Sequence, residues 1–227
     1  MVEWLAGNRI RGTSTERTST SGFNPISAVT GGWKELGRTT LGSSSDAINV
    51  ASLADKRYYM TLTNVISTGA TNVGHRAGNG SIDGGNNYAK RFSINGASDG
   101  TETNKDNFIE IDGLSSSDEK FGVAYISNLA SKEKLGIGHF VRNNASGAGT
   151  EPKRTEQVGK WTNTSSRIDT LGLANFGSGD MDTGSELVVL GWDEDDTHTD
   201  NFWEELASVE LSSAGDQIDS GTFTAKK

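Results

Sequence analysis

A short run of the chain matches the pattern in which serine hydrolases place their reactive serine. Residues 96–100 read GASDG, which fits GxSxG with Ser98 at the centre. That arrangement activates a serine only when a buried strand precedes it and a helix follows it. The residues after 100 are polar and lack a helical pattern. We therefore interpret the run as a hairpin loop and predict no nucleophile in it.

The histidines offer no second route to catalysis. His75, His139 and His198 are far apart in sequence and form neither an HxH nor an HExxH arrangement. Zinc sites and metalloprotease active sites depend on such spacings. His139 falls within a predicted strand, where a structural role is the simpler explanation. Paired carboxylates for glycoside cleavage are recognised by their separation in space, which a sequence does not give. We predict that the chain is not an enzyme.

An acidic segment near the end of the chain offers ligands for a hard cation. Calcium takes several oxygen ligands from a flexible loop, and Asp193, Asp195 and Asp196 lie together in the run DEDDTHTD. The run lacks the spacing of glycine and terminal glutamate that defines an EF-hand. A solvated acidic loop is the alternative. We predict no cofactor, with a structural calcium ion as the one candidate.

Five tryptophans call for a test of carbohydrate binding, because an exposed indole ring can stack on a sugar. Trp161 and Trp192 lie within or at the end of predicted strands, where packing in the core is the default. Trp33 and Trp203 begin two similar segments of the chain. We assign these two, together with Trp4, to assembly. A glycan on a host surface stays open as a partner.

Composition and charge exclude several classes of function. The formal net charge is −9, and from Asp180 onward 13 acidic residues face only two basic ones. A broad basic face for nucleic acid is therefore not expected. No apolar run approaches the length of a membrane span, and no secretory signal is recognisable. The absence of cysteine excludes disulfides and thiolate metal sites.

The pattern of residues 33–202 predicts an antiparallel β-sandwich of jelly-roll type. Short alternating segments recur, each bounded by clusters of Gly, Asn, Asp or Ser. The clearest is Arg57–Ile66, in which Tyr58, Met60 and Leu62 alternate with Tyr59, Thr61 and Thr63. Eight to eleven such strands without helical crossovers favour an all-β fold over a parallel α/β sheet. Residues 1–32 lack periodicity and are predicted to form an extended arm.

The last 25 residues repeat a stretch near the start. At an offset of 170, residues 203–227 are identical to residues 33–57 at eight of 25 positions. Such a repeat predicts either the start of a second, truncated module or an edge segment donated to a neighbour. Both interpretations favour a part of an assembly. The predicted assembly residues are Trp4, Trp33, Trp203, Leu206, Leu211 and Ile218.

Several strings resemble uncharacterised tandem β-module proteins of marine viruses. They include WLAGNRIRGTSTERT at 4–18, GGWKELGRTTLGSSSDAINV at 31–50 and DTHTDNFWEELASVEL at 196–211. The resemblance covers nearly the whole chain and carries no catalytic residues. It implies a virion surface component, such as a head fibre, capsid decoration or tail appendage. The implied partners are further copies of the chain and other virion proteins, assembled in the host cytoplasm.

Two other functions fit the same patterns. A carbohydrate-binding jelly-roll module would place a solvent-facing Trp or Tyr beside Asn and Asp donors. A cellular surface filament or coat subunit would need the same donated strands and would be located outside the cell. For each of the three functions we expect a protein that neither binds nucleic acid nor inserts into a membrane, and we favour a homo-oligomer.

Overall fold

The computed structural model describes most of the chain. The described residues are 3–5, 9–11, 29–30, 33–111, 119–143, 147–193 and 196–198, with single positions at 215, 218, 219, 221 and 222. The chain divides into two compact units. One unit is Trp33–Gly191, and the other combines Met1–Gly32 with Trp192–Lys227.

Every regular element among the described residues is a β-strand. In chain order the strands are β1 (Glu3–Leu5), β2 (Arg9–Arg11), β3 (Val29–Thr30), β4 (Lys34–Thr40), β5 (Ala47–Val50), β6 (Tyr58–Ile66), β7 (Val73–Asn79), β8 (Ser81–Ile82), β9 (Tyr88–Ile94), β10 (Gly100–Lys105), β11 (Ile109–Ile111), β12 (Glu119–Ser127), β13 (Lys134–Arg142), β14 (Lys153–Trp161), β15 (Thr170–Asn175), β16 (Glu186–Trp192) and β17 (Thr197–His198). The part of the chain that the structure describes accordingly contains no helix able to span a membrane.

The unit Trp33–Gly191 is built on two antiparallel sheets that form a sandwich-like body. The larger sheet has eight strands in the order β10-β9-β14-β13-β12-β6-β16-β4. The smaller runs β11-β7-β15-β5, with the short strand β8 paired to β7. This confirms the predicted all-β, antiparallel sandwich, while the jelly-roll order and the second repeat stay predictions.

The other unit contains two short strand pairs. Strand β1 pairs with β2, and β3 pairs with β17, both antiparallel. Three of these strands fall within residues 1–32, the predicted arm. The rest of that arm and most of residues 203–227 lie outside the described residues.

The core lies between the two sheets, and burial alternates along the central strands of the large sheet, β6, β12 and β13, whereas β15 of the small sheet is buried along most of its length. In β6 the inward side carries Tyr59, Thr61, Thr63 and Val65, all at most 1% exposed. An aromatic stack anchors one end of this core. The ring of Tyr88 lies 5.7 Å from that of Phe108 and 6.4 Å from that of Trp161, centroid to centroid. Trp161 thus packs inside, as its strand position predicts.

Residues 33–57 supply an edge strand to each sheet. Strand β4 pairs with β16 at one end of the large sheet, and β5 pairs with β15 at one end of the small sheet. Ile48 and Leu53 are buried, and Leu36 and Leu41 pack against the core. The first copy of the repeat therefore connects the two sheets, because it contributes one edge strand to each of them.

Candidate interaction surface

The solvent side of the large sheet exposes a group of large apolar side chains. They lie on the centre strands β12, β13 and β14, together with Trp33 just before β4, and are between 38% and 58% exposed. We call this group the apolar face, and its members are Trp33, Phe121, Tyr125, Leu135, Ile137, Val141 and Val158. Contiguous apolar patches of this kind on soluble proteins mark interaction sites.

The strand register aligns members of the apolar face in rows across neighbouring strands. Tyr125 stands directly opposite Ile137, and Ile137 stands opposite Val158, so three neighbouring strands form one row. Phe121 stands opposite Val141 in a parallel row. Directly opposed side chains on one face lie about 5 Å apart. Between these two rows, Val123 stands opposite the exposed His139, and His139 stands opposite the exposed Glu156, so polar side chains separate the rows on β13 and β14.

Trp33 extends the apolar face toward the edge of the unit. Its ring centroid lies 6.0 Å from that of Tyr125, with the two planes tilted by 57°. Trp33 is one of the residues that the sequence assigns to assembly. The structure brings it onto the exposed sheet face beside Tyr125, where its indole is 41% exposed.

Charged residues on the edge strand β4 and on the centre strand β14 are paired with one another. Arg38 binds Glu35 at 2.5 Å on β4, and Arg154 lies 3.3 Å from Glu156 on β14. The hydrogen bond from Arg38 is the main cause that lowers the pKa of Glu35. Such exposed pairs contribute little to stability. Because the charges are paired, no strong field of one sign is expected beside the apolar side chains.

The size of the sheet matches what a protein partner covers. Eight strands, about 4.8 Å apart and roughly eight residues long, form a face of about 1,000 Å². One partner contributes about that area to an interface of standard size. An apolar centre with aromatic residues and a polar rim is also the usual anatomy of such an interface.

The remaining predicted assembly residues are not brought to this surface by the described structure. Trp4 lies in β1, where only the backbone is described. Trp203, Leu206 and Leu211 lie outside the described residues. Ile218 is described and is 62% exposed, although its counterpart in the first copy, Ile48, is buried.

The candidate cation loop is partly described. The backbone N–H of Asp193 donates to the Asp196 carboxylate at 2.8 Å. Asp195 lies outside the described residues. Within the described parts of the chain, no three His, Cys, Asp or Glu residues are grouped so that they could hold a metal ion. The calcium site stays a prediction.

The serine motif forms a hairpin loop, as predicted. Strand β9 ends at Ile94 and pairs antiparallel with β10, which begins at Gly100. Asn95 and Gly96 both have positive φ angles, of 53° and 76°, as a tight turn requires. Ser98 is exposed, and the strand β10 that follows it replaces the helix that an activated serine would need.

Sequence reasoning missed three lysines that point into the sandwich. Lys90, Lys120 and Lys134 are each at most 4% exposed. Lys120 Nζ donates to Ser67 Oγ at 2.9 Å. Lys134 Nζ donates to the backbone carbonyls of Lys132 and Asn163 at 2.9 and 2.8 Å. The sequence offers one signal for Lys90. It lies two residues after the core residue Tyr88 in β9, so the two side chains point to the same side of the strand.

The chemistry around Lys90 differs from that around the other two lysines. Its Nζ donates to Asn107 Oδ1 at 2.8 Å and contacts the carboxylate of Glu110. A second carboxylate, Glu102, lies 3.2 Å away. Burial lowers the pKa of Lys90, against the opposing effect of Glu102.

Comparisons with protein-family models, curated proteins and solved structures find no match for the chain.

Proposed function

We propose that the chain is a non-enzymatic structural subunit of a virion surface, and that it self-associates through the apolar face. The virion assignment rests on the resemblance of the sequence to the tandem modules of marine viruses. The observation that carries self-association is the uninterrupted row of exposed apolar side chains across β12, β13 and β14.

A second copy of the chain is the occupant that the surface suits. Two such faces can cover each other around a two-fold axis, so that the same residues contribute from both sides. A rim of one sign would oppose that arrangement by repulsion. Here the rim charges are largely neutralised within each copy, for example Arg91 by Asp99 at 3.4 Å and Lys160 by Glu133 at 2.8 Å.

The same face fits a sugar poorly. Carbohydrate recognition needs polar groups placed beside the stacking ring, because the hydroxyls of the ligand must be hydrogen-bonded. The neighbours of Tyr125 in the register are Met60 and Ile137. The ring of Tyr125 therefore lies between two apolar side chains, which favours a protein partner over a glycan at this ring.

Residues 203–227 are the second element of the proposal. In the first copy of the repeat, a side chain at Gly37 would meet Val50 Cγ1 at 2.8 Å. The second copy has Ala207 in place of Gly37 and Ser220 in place of Val50. The methyl group that Ala207 adds would therefore face a serine, which is smaller than the valine. This compensation supports the proposal that the segment forms the same edge pair, in a further module or on a neighbouring copy.

Placing a charge in the centre of the apolar face should abolish self-association. Ile137→Asp buries an unpaired carboxylate in the proposed interface, and such a change at an interface centre costs at least about 2 kcal/mol, a factor of about thirty in Kd. Sedimentation velocity over a range of concentrations measures the association. Because Ile137 is 54% exposed, the fold should be retained, which a thermal melt checks.

Ala97→Asp is the matched control, since it introduces the same charge at an exposed position of the hairpin loop between β9 and β10. It should associate like the unchanged chain. The proposal fails if the Ile137 variant and the control have the same association constant as the unchanged chain, or if the unchanged chain stays monomeric at high concentration.

A further inference from the structure

A buried amine, a carboxamide and a carboxylate meet at one end of the sandwich. Lys90 belongs to β9 of the large sheet, Asn107 lies two residues before the start of β11 of the small sheet, and Glu110 lies within β11. Lys90 Nζ donates to Asn107 Oδ1 at 2.8 Å and contacts Glu110. The amine of one sheet is therefore held against the carbonyl group of a side chain at the other.

The carboxamide is fixed in place by its surroundings. Gly74 passes so close that an added Cβ there would lie 2.7 Å from Asn107 Cγ. The side chain of Gln157 bonds both backbone groups of Glu110, accepting from its N–H at 2.8 Å and donating to its carbonyl. Asn107 is 4% exposed and the neighbouring Phe108 is fully buried. Reacting groups held at contact distance gain a large advantage over the same groups in solution.

We propose that Lys90 and Asn107 join into an amide cross-link, with Glu110 as the catalytic residue that carries the proton. The link would connect β9 of the large sheet to the segment leading into β11 of the small sheet. It would form within a single chain and would need no oxidant, cofactor or second protein.

The reaction balances with the groups that are present. The Lys90 ammonium first gives a proton to the Glu110 carboxylate, which leaves a neutral amine and a neutral acid. The amine nitrogen bonds to Asn107 Cγ while the C=O electron pair moves to Oδ1, which Glu110 stabilises by hydrogen bonding. Glu110 then relays a proton from the attacking nitrogen to Nδ2. The Cγ–Nδ2 bond breaks with its electron pair, the carbonyl re-forms, and ammonia leaves.

Burial assists the first step. A lysine in an apolar interior loses part of the preference for its charged form, and burial is the main cause that lowers the pKa of Lys90. The stacked rings of Tyr88 and Phe108 lie next to the site in sequence and in the core. They limit access of water, which would otherwise compete for the activated carboxamide.

The other buried lysines show what is special about this site. Lys134 Nζ bonds to backbone carbonyls, and Lys120 Nζ bonds to the hydroxyl groups of Ser67 and Thr71. None of these bonds is made to a carboxamide. Lys134 is accordingly a matched control, because it is equally buried but is not expected to react.

Intact-protein mass spectrometry of the folded chain tests the proposal. The mass should be lower than the sequence mass by one ammonia, and protease digestion should yield a branched peptide joining the segments that contain Lys90 and Asn107. Lys134→Met should show the same loss of ammonia. Glu110→Gln, which keeps the shape but not the proton carrier, should slow the reaction by about a hundredfold or more.

The unchanged chain decides the outcome whether or not a variant folds. A folded chain that keeps its full sequence mass after prolonged incubation would overturn the proposal. So would a loss of ammonia that persists in Lys90→Met, because that loss would come from another residue. The measurement is independent of association, so it stands or falls separately from the assembly interface.

Discussion

Replacing Trp161 with alanine is expected to lower the free energy of unfolding by about 3–5 kcal/mol. The side chain is 2% exposed and stacks on Tyr88 with ring centroids 6.4 Å apart. Its indole N–H donates to Asp83 Oδ2 at 2.8 Å. The variant loses the packing of a large aromatic group and leaves a cavity. Chemical denaturation near neutral pH measures the change.

Trp33→Ala is the control for that prediction. It removes the same kind of side chain from the apolar face, where the indole is 41% exposed. At protein concentrations too low for self-association, it should change the free energy of unfolding by less than about 1 kcal/mol. Equal losses for the two variants would contradict the assignment of Trp161 to the core and Trp33 to the surface.

Acid should destabilise the chain through His75 by about 3 kcal/mol. The imidazole is fully buried, and burial lowers its pKa to about 4. In the unfolded chain the imidazole of His75 takes up a proton near pH 6.5. In the folded chain it takes up this proton only near pH 4. Stability is therefore complete above pH 6.5, is lost as the pH falls toward 4, and changes no further through this group below that.

The contacts of His75 fix the tautomer of its neutral ring. Its Nδ1 lies 3.2 Å from the carbonyl oxygen of Ile109, which can only accept, so Nδ1 carries the proton. Its Nε2 then accepts from the hydroxyls of Thr61 and Thr63, at 3.2 and 3.3 Å. Urea denaturation between pH 7 and pH 4 measures the slope. His75→Gln should remove this contribution, and parallel curves for the two proteins would contradict it.

The class of the fold was predictable because period-two alternation is a local property of the sequence. Which side of a strand faces the core was not always predictable from the sequence. In β6, Tyr58, Met60 and Leu62 alternate with Tyr59, Thr61 and Thr63, and both sets contain apolar residues. The threonine side faces the core because His75, from the other sheet, satisfies two of its hydroxyls. That partner is not visible in the local pattern.

The apolar face was hidden for the same reason. Its residues are those of ordinary strands, and they become an unusual surface only when the second sheet is known to cover the opposite side. Trp33 was identified through the repeat and not through its position. The buried lysines were missed because lysine is seldom buried, and because each has a partner from another segment of the chain, such as Asn107 for Lys90 and Asn163 for Lys134.

The central claim is that two copies of the chain cover each other's apolar face, and thiol labelling tests it directly. The chain contains no cysteine, so a single introduced thiol reports on one position. Val158→Cys places it on the apolar face with little change of volume, and Ala97→Cys places it in the exposed hairpin loop. The rate of modification by a small reagent is measured as the protein concentration rises. We predict that labelling slows only for Val158→Cys, whereas rates that do not change with concentration at either position would contradict the interface.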